Sequence, residues 1–191
     1  MILEGLVTTM DADGSPHLAP MGALIEADMS QFTLRPYRTS RTGDNLRRSP
    51  QGVLHVTDDV ELLARAAVHR FETPPLMRRA DAVDGFILED TCRWYAFRVQ
   101  QIQDAGPRTD MVCTVVDHGR KRDFLGFNRA KHAVVEAAIL ATRVRLLDAE
   151  SLRQELARLA VIVDKTAGAQ ERRAFDCLRE FVRQELGDSA N

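Results

Sequence analysis

At 191 residues the chain holds one domain, or one domain with a helical appendage, and is long enough to bury a substantial core. Hydrophobic residues at 45% and charged residues at 28% exclude a disordered chain, and no apolar run is long enough to span a bilayer. A formal net charge of −2 argues against a wholly basic, nucleic-acid-coating surface, so any arginine cluster is a local feature.

The start of the chain lacks the basic leader of a signal peptide and meets Glu4 and Asp11 early, which points to a cytoplasmic protein. Ile2 to Met10 is rich in apolar and β-branched residues and stops at Asp11-Ala12-Asp13-Gly14. Asp-Gly supplies the positive φ angles of a tight turn, so a hairpin is expected. Its return strand, about His17 to Glu26, contains Pro20, which cannot donate to a ladder and marks an edge, a bulge or a split. Gly22 behind it either permits close approach of a ligand to bare backbone or marks a simple bulge.

The segment from Phe32 to Thr57 places arginines and hydroxyls between two apolar strands. Ser40 or Thr42 can cap a short helix over about Gly43 to Arg48, whose start offers unpaired N–H groups and the positive end of a helix dipole. Arg35, Arg38 and Arg41 alternate with hydroxyls, so several donors can converge on an anion such as a phosphate monoester. The same pattern also suits a solvated arginine-rich loop with an ordinary helix cap. Arg47 and Arg48 read as a solvated helix end.

Beyond Thr57, Asp58 or Asp59 can cap a helix with an apolar stripe of Val60, Leu62, Leu63, Ala66 and Ala67. Strands resume at Gly85 to Leu88, and Arg93 to Gln103 alternates well, with Asp110 to Asp117 as its partner. Five to seven strands without long intervening helices predict an antiparallel barrel, Greek-key-like, rather than a doubly wound sheet. From Asn128 the period changes to helical. Three helices are expected: Asn128 to about Leu147, one capped by Asp148 or Ser151, and about Gln170 to Leu186, with a break at Thr166-Ala167-Gly168. The expected division is a barrel over 1–127 and a helical region over 128–191 packed on it.

Cys92, Cys113 and Cys177 are few, odd in number and far apart, which fits free thiols. The five histidines lack metal-ligand spacing, so no metal is assigned, and no nucleophile elbow, Walker loop or dinucleotide fingerprint is present. Trp94 and Tyr95 read as core aromatics, and His55 as a barrel-lining histidine.

The spacing Ser40-x-Thr42-x-x-Asn45-Leu46 between two strands resembles the phosphate-binding segment of flavin reductase-like, FMN-binding split β-barrels. Asp13 to Ala23 is similar to that superfamily's first hairpin and second strand. With Phe127-Asn128-Arg129-Ala130-Lys131 and Ile139-Leu140-Ala141-Thr142-Arg143, nearly the whole chain resembles a functionally uncharacterised family of such barrels with a helical C-terminal region. Arg41 departs from the reductase pattern, which often has Lys or Asp between the serine and threonine.

The resemblance implies FMN as cofactor, with its phosphate near Ser40, Thr42, Asn45, Arg35, Arg38 and Arg41, and its ring near Met21 and Gly22. His55 joins this set by its place beside the segment. It implies a flavin-dependent oxidoreductase or electron-transfer protein, a homodimer, and a link to pterin-dependent one-carbon metabolism; it names no catalytic residue. A non-catalytic module gripping a phosphorylated metabolite or nucleic acid with the same loop is the alternative.

Overall fold

The structure, a computed structural model, describes residues 1–187. Two compact units arise from interleaved segments: Met1–Thr57 with Pro75–Phe124, and Asp58–Pro74 with the chain from Leu125 onward. Residues 58–74, which lie inside the stretch read as barrel, therefore cluster with the C-terminal helices.

The first unit is a closed, antiparallel, six-stranded barrel. Its strands are β1 (Ile2–Met10), β2 (Pro16–Ile25), β3 (Gln31–Leu34), β4 (Gln51–Val56), β7 (Arg93–Ala105) and β8 (Arg108–Arg120), in the order β1-β2-β3-β8-β7-β4. The β1–β2 hairpin pairs Ile2 with Leu24 through Met10 with Pro16, and Gly14 takes a φ of 83° in the turn, as Asp-Gly demands. Pro20 falls where β2 pairs only with β1, because β3 reaches no further than Ala23. Its missing donor thus interrupts no second ladder.

Strand alternation fills the barrel with Val7, Phe32, Leu34, Leu54, Phe97 and Met111, and Phe32 meets Phe97 edge-on at 5.3 Å. On the outside, β5 (Met77–Arg79) and β6 (Phe86–Leu88) form a two-stranded flap. Val53, Ile87, Trp94 and Ala96 pack together beneath it, and Thr8 donates to the Phe86 carbonyl at 2.5 Å. β5 carries too short an apolar pattern to be read from sequence. β3 ends at Leu34, because Pro36 has no N–H to continue the ladder.

The second unit holds α2 (Val60–Ala67), α3 (Arg129–Ala141), α4 (Ala149–Thr166) and α5 (Ala169–Glu185). Asp59, Asn128 and Asp148 cap the first three through their side chains, as their positions predict. α3 stops at Ala141 rather than near Leu147. There the Thr142 hydroxyl bonds back to the Ile139 carbonyl, and a series of turns follows. Leu152, Leu156, Leu159 and Val163 form the buried stripe of α4.

α2 is bound into this unit by polar ties as well. Arg173 meets Glu61 at 2.7 and 3.0 Å, and Gln170 donates to Asp59 at 3.1 Å. Lys131 donates to the Asp58 carbonyl at 2.6 Å, with the Asp58 and Glu171 carboxylates 3.9 and 3.7 Å away. Among the described residues no helix is long and apolar enough to cross a membrane.

Candidate functional site

One end of the barrel gathers the arginine-rich segment. After β3 the chain turns through Pro36 to Ser40 into α1 (Arg41–Arg48). Ser40 is the N-cap, accepting from Gly43 N at 3.1 Å while its own proton goes to the Tyr37 carbonyl at 2.7 Å. Such a cap contributes about 1 kcal/mol. Gly43 is needed for the tightness of this turn, since a Cβ there would stand 3.0 Å from the Tyr37 oxygen and 3.2 Å from Ser40 Oγ.

Beneath α1 lies a buried polar network. Asn45 donates to Thr9 Oγ1 at 3.0 Å and to Asp11 Oδ1 at 2.9 Å, while its own oxygen accepts from Arg48 at 2.8 Å. Arg41 grips both oxygens of Asp11, through Nε at 2.8 Å and through Nη2. Thr42 Oγ1 is 3.3 Å from His17 Nε2. Burial pushes the Asp11 carboxyl up, but hydrogen bonds from Arg41 and Asn45, with the arginine charge, outweigh it and hold the group below its ordinary value.

The opposite side of α1 is tied to the β7–β8 turn. Arg47 bonds Asp104 and, at 2.9 Å, Thr109, and Arg38 lies 3.8 Å from Asp104. Hydrogen bonds from Thr109 and Arg47 lower the Asp104 pKa. Backbone bonds from Arg38 N to Pro107 O at 3.1 Å and from Thr109 N to Pro36 O at 3.0 Å clamp the two loops. Arg35 meets Asp110 at 2.8 Å, and Arg108 stacks on the Tyr37 ring at 4.3 Å. Three strand ends thus hold the start of one short helix.

The predicted residues therefore divide. Arg35, Arg38 and Arg41 have side chains 50, 56 and 63% exposed, each using only part of its guanidinium fork on a carboxylate. In the first turn of α1 the Gly43 amide goes to Ser40 Oγ and the Asp44 amide to the Ser40 carbonyl, so the helix-start donors are those of Arg41 and Thr42. Ser40, Thr42 and Asn45 are close by, but their polar groups are engaged in the cap and in the network under the helix.

Met21 and Gly22 occupy opposite faces of β2, as neighbours in a strand must. Met21 packs against the barrel core, so only Gly22 faces outward, flanked by Ile2 and Glu4. His55 also points outward but is sealed: Leu88 N donates to its Nε2 at 3.1 Å, so Nδ1 carries the proton toward Leu6 O, 3.3 Å away. Burial drives its pKa down to about 3. With both ring nitrogens used, it is a neutral link between β4, β1 and β6.

Sequence reasoning missed Thr9, Asp11, His17, Asp104 and Thr109. Asp11 was legible only as a turn residue, and nothing local signals that Asp104 partners a helix 57 positions earlier. Among the described residues no group of three or more His, Cys, Asp or Glu side chains could hold a metal ion.

The N-terminal domain of a family of proteins of unknown function, DUF447, matches residues 3–122, and a second segment of that family matches residues 128–180. Among solved structures, an FMN-bound protein of this family from Methanosarcina mazei superposes with a TM-score of 0.84 at 20% identity, covering 94% of each chain. A flavin reductase domain protein from Arthrobacter sp. FB24 gives 0.55 at 20% identity over 64% of this chain and 79% of its own. The styrene monooxygenase flavin reductase from Pseudomonas putida S12 gives 0.52 at 12% identity over 62% and 80%. These likenesses establish a shared fold. No curated protein matches the sequence.

Proposed function

The chain belongs to the DUF447 family, and on that premise we propose that it binds FMN and serves in a flavin-dependent reductase or electron-transfer reaction. The observation that carries this reading is the set of exposed guanidinium groups of Arg35, Arg38 and Arg41 around the start of α1. It lies on a fold shared with an FMN-bound member of the family.

The residues suit the phosphate end of the cofactor. Outward guanidinium nitrogens and first-turn amides supply donors, and the helix dipole favours the dianion. Asp11, Asn45 and Asp104 hold these donors in place through the bonds beneath and beside α1. Toward the ring, the outer face of β2 at Gly22 and Pro20 would take the flavin beside Ile2 and the Glu4 carboxylate that flank Gly22, while Met21 and His55 stay in the packing behind it. A bound flavin supplies one- and two-electron redox chemistry; the protein supplies position and electrostatics.

Adding FMN and then desalting should leave the flavin absorption bands with the protein. A colourless protein after desalting, with no quenching of flavin fluorescence on titration, would overturn the reading.

A homodimer belongs to the same proposal. Ile2 and Leu24 face each other across β1 and β2, 66 and 47% exposed, on the same outer face as Gly22. Apolar surface beside a ligand face is what a second copy would cover. Light scattering should give twice the mass of the 21.4 kDa chain, and Ile2→Glu with Leu24→Glu should return it to the monomer value. A monomeric wild type at micromolar concentration would remove the dimer from the proposal.

A further inference from the structure

The helical unit contains a cleft whose chemistry the flavin reading leaves unused. It has a volume of about 600 Å3 and lies between the first half of α3 and the middle of α4. Arg129, His132, Ala133 and Glu136 stand at i, i+3, i+4 and i+7 and so share one face of α3. Ile162 of α4 faces it, with Leu159, only 3% exposed, behind.

Two features of the cleft bear on what it could hold. Phe127 holds its ring at the rim 93% exposed, 6.0 Å from the His132 ring and tilted 48° to it. An aromatic so exposed is unfavourable in water and suited to receiving another flat ring. Arg129 and Glu136, moreover, make no hydrogen bond or ion pair among the described residues. Arg145, Arg158, Arg173 and Arg183 of the same unit each meet a carboxylate. Seven helical residues set Arg129 and Glu136 about 10 Å apart along the axis, too far to pair with each other and on either side of the aromatic pair.

We propose that this cleft is a ligand site for a planar, fused-ring acid that carries an N–H donor on the edge opposite its carboxylate or phosphate. Arg129 receives the acidic group, with Arg158 adding positive charge from the α4 side. The ring lies on Phe127 and His132 beside Ile162, and Glu136 accepts from the N–H edge. The inference does not rest on flavin binding at the barrel.

The test uses the full chain, first alone and then with saturating FMN, and two probes: 6-amino-2-naphthoate, which has the required layout and is fluorescent, and 2-naphthoate, which lacks the N–H donor. The aminonaphthoate should bind saturably and more tightly than naphthoate. Arg129→Ala should weaken both by about tenfold or more, since each loses a charge-assisted contact. Glu136→Ala, which leaves no acceptor, should bring the aminonaphthoate close to the level of naphthoate and leave naphthoate nearly unchanged. Both positions are exposed, and matching circular dichroism melts would confirm folding of the variants. Absence of saturable binding of the aminonaphthoate, or equal affinity of wild type and both variants for it, would overturn the proposal. So would loss of probe binding on adding FMN, which would place the probe in the flavin site.

Discussion

Replacing Arg35 and Arg38 together by glutamine is expected to weaken FMN binding by about a hundredfold and to leave riboflavin affinity nearly unchanged. A charge-assisted hydrogen bond to a phosphate oxygen is worth roughly 1.5–3 kcal/mol, so each lost guanidinium costs about a decade or more. The pair is chosen because their carboxylate partners, Asp110 and Asp104, are themselves exposed, with side chains 38 and 40% accessible. Removing such surface partners costs the fold little. Arg41→Gln is a different case, since it strips a nearly buried Asp11 of its bidentate partner and should lower stability as well as affinity. Titration of each variant with FMN and with riboflavin by fluorescence quenching separates the effects. Equal losses for the two ligands, or none for either, would move the phosphate site away from α1.

The second large effect is a loss of stability in mild acid that traces to His55. This imidazole is buried and held neutral with a pKa of about 3, against about 6.5 in the unfolded chain. Below pH 6.5 the unfolded state therefore takes up a proton that the folded state refuses. Stability contributed by the neutral ring is complete above 6.5 and falls as pH drops through the window from 6.5 to 3. One residue gives a slope approaching 1.4 kcal/mol per pH unit, or about 2 kcal/mol between pH 7 and pH 5. Asp11 and Glu61, whose pKa values are lowered, add their share only further into acid, in the same direction. Urea midpoints at pH 7 and pH 5 measure the effect. His55→Gln should be less stable at neutral pH yet lose about 2 kcal/mol less between the two conditions. An identical pH dependence in wild type and variant would show that the ring does not titrate with folding.

The sequence showed the barrel more clearly than the site because strand alternation and turn chemistry are local, whereas a binding mouth is assembled from distant segments. Asp13-Gly14, the apolar run of β1 and the alternation of β7 each announce an element within a dozen residues. The capping roles of Ser40, Asn128 and Asp148 were legible for the same reason. What Thr42, Asn45 and His55 do was not, because residue type tells of hydrogen-bonding capacity and not of which partner consumes it. Asn45 could donate to a phosphate, but Thr9 and Asp11, more than thirty positions earlier, take both amide protons. The His55 ring could face a ligand, but the flap residue Leu88 occupies its acceptor nitrogen.

The interleaving of the two units bears on how the chain is made at the ribosome. α2 emerges early, directly after β4, with Leu63, Ala64 and Ala66 destined for burial. The groups that secure it, Lys131 against Asp58 and Arg173 and Gln170 against Glu61 and Asp59, follow by more than seventy to more than a hundred residues. At ~5–20 residues per second this apolar helix stays uncovered for several seconds or longer while the barrel strands are still being added. The nascent chain therefore passes through an interval in which a chaperone has a hydrophobic segment to hold. A gene fragment ending at residue 127 makes that interval permanent.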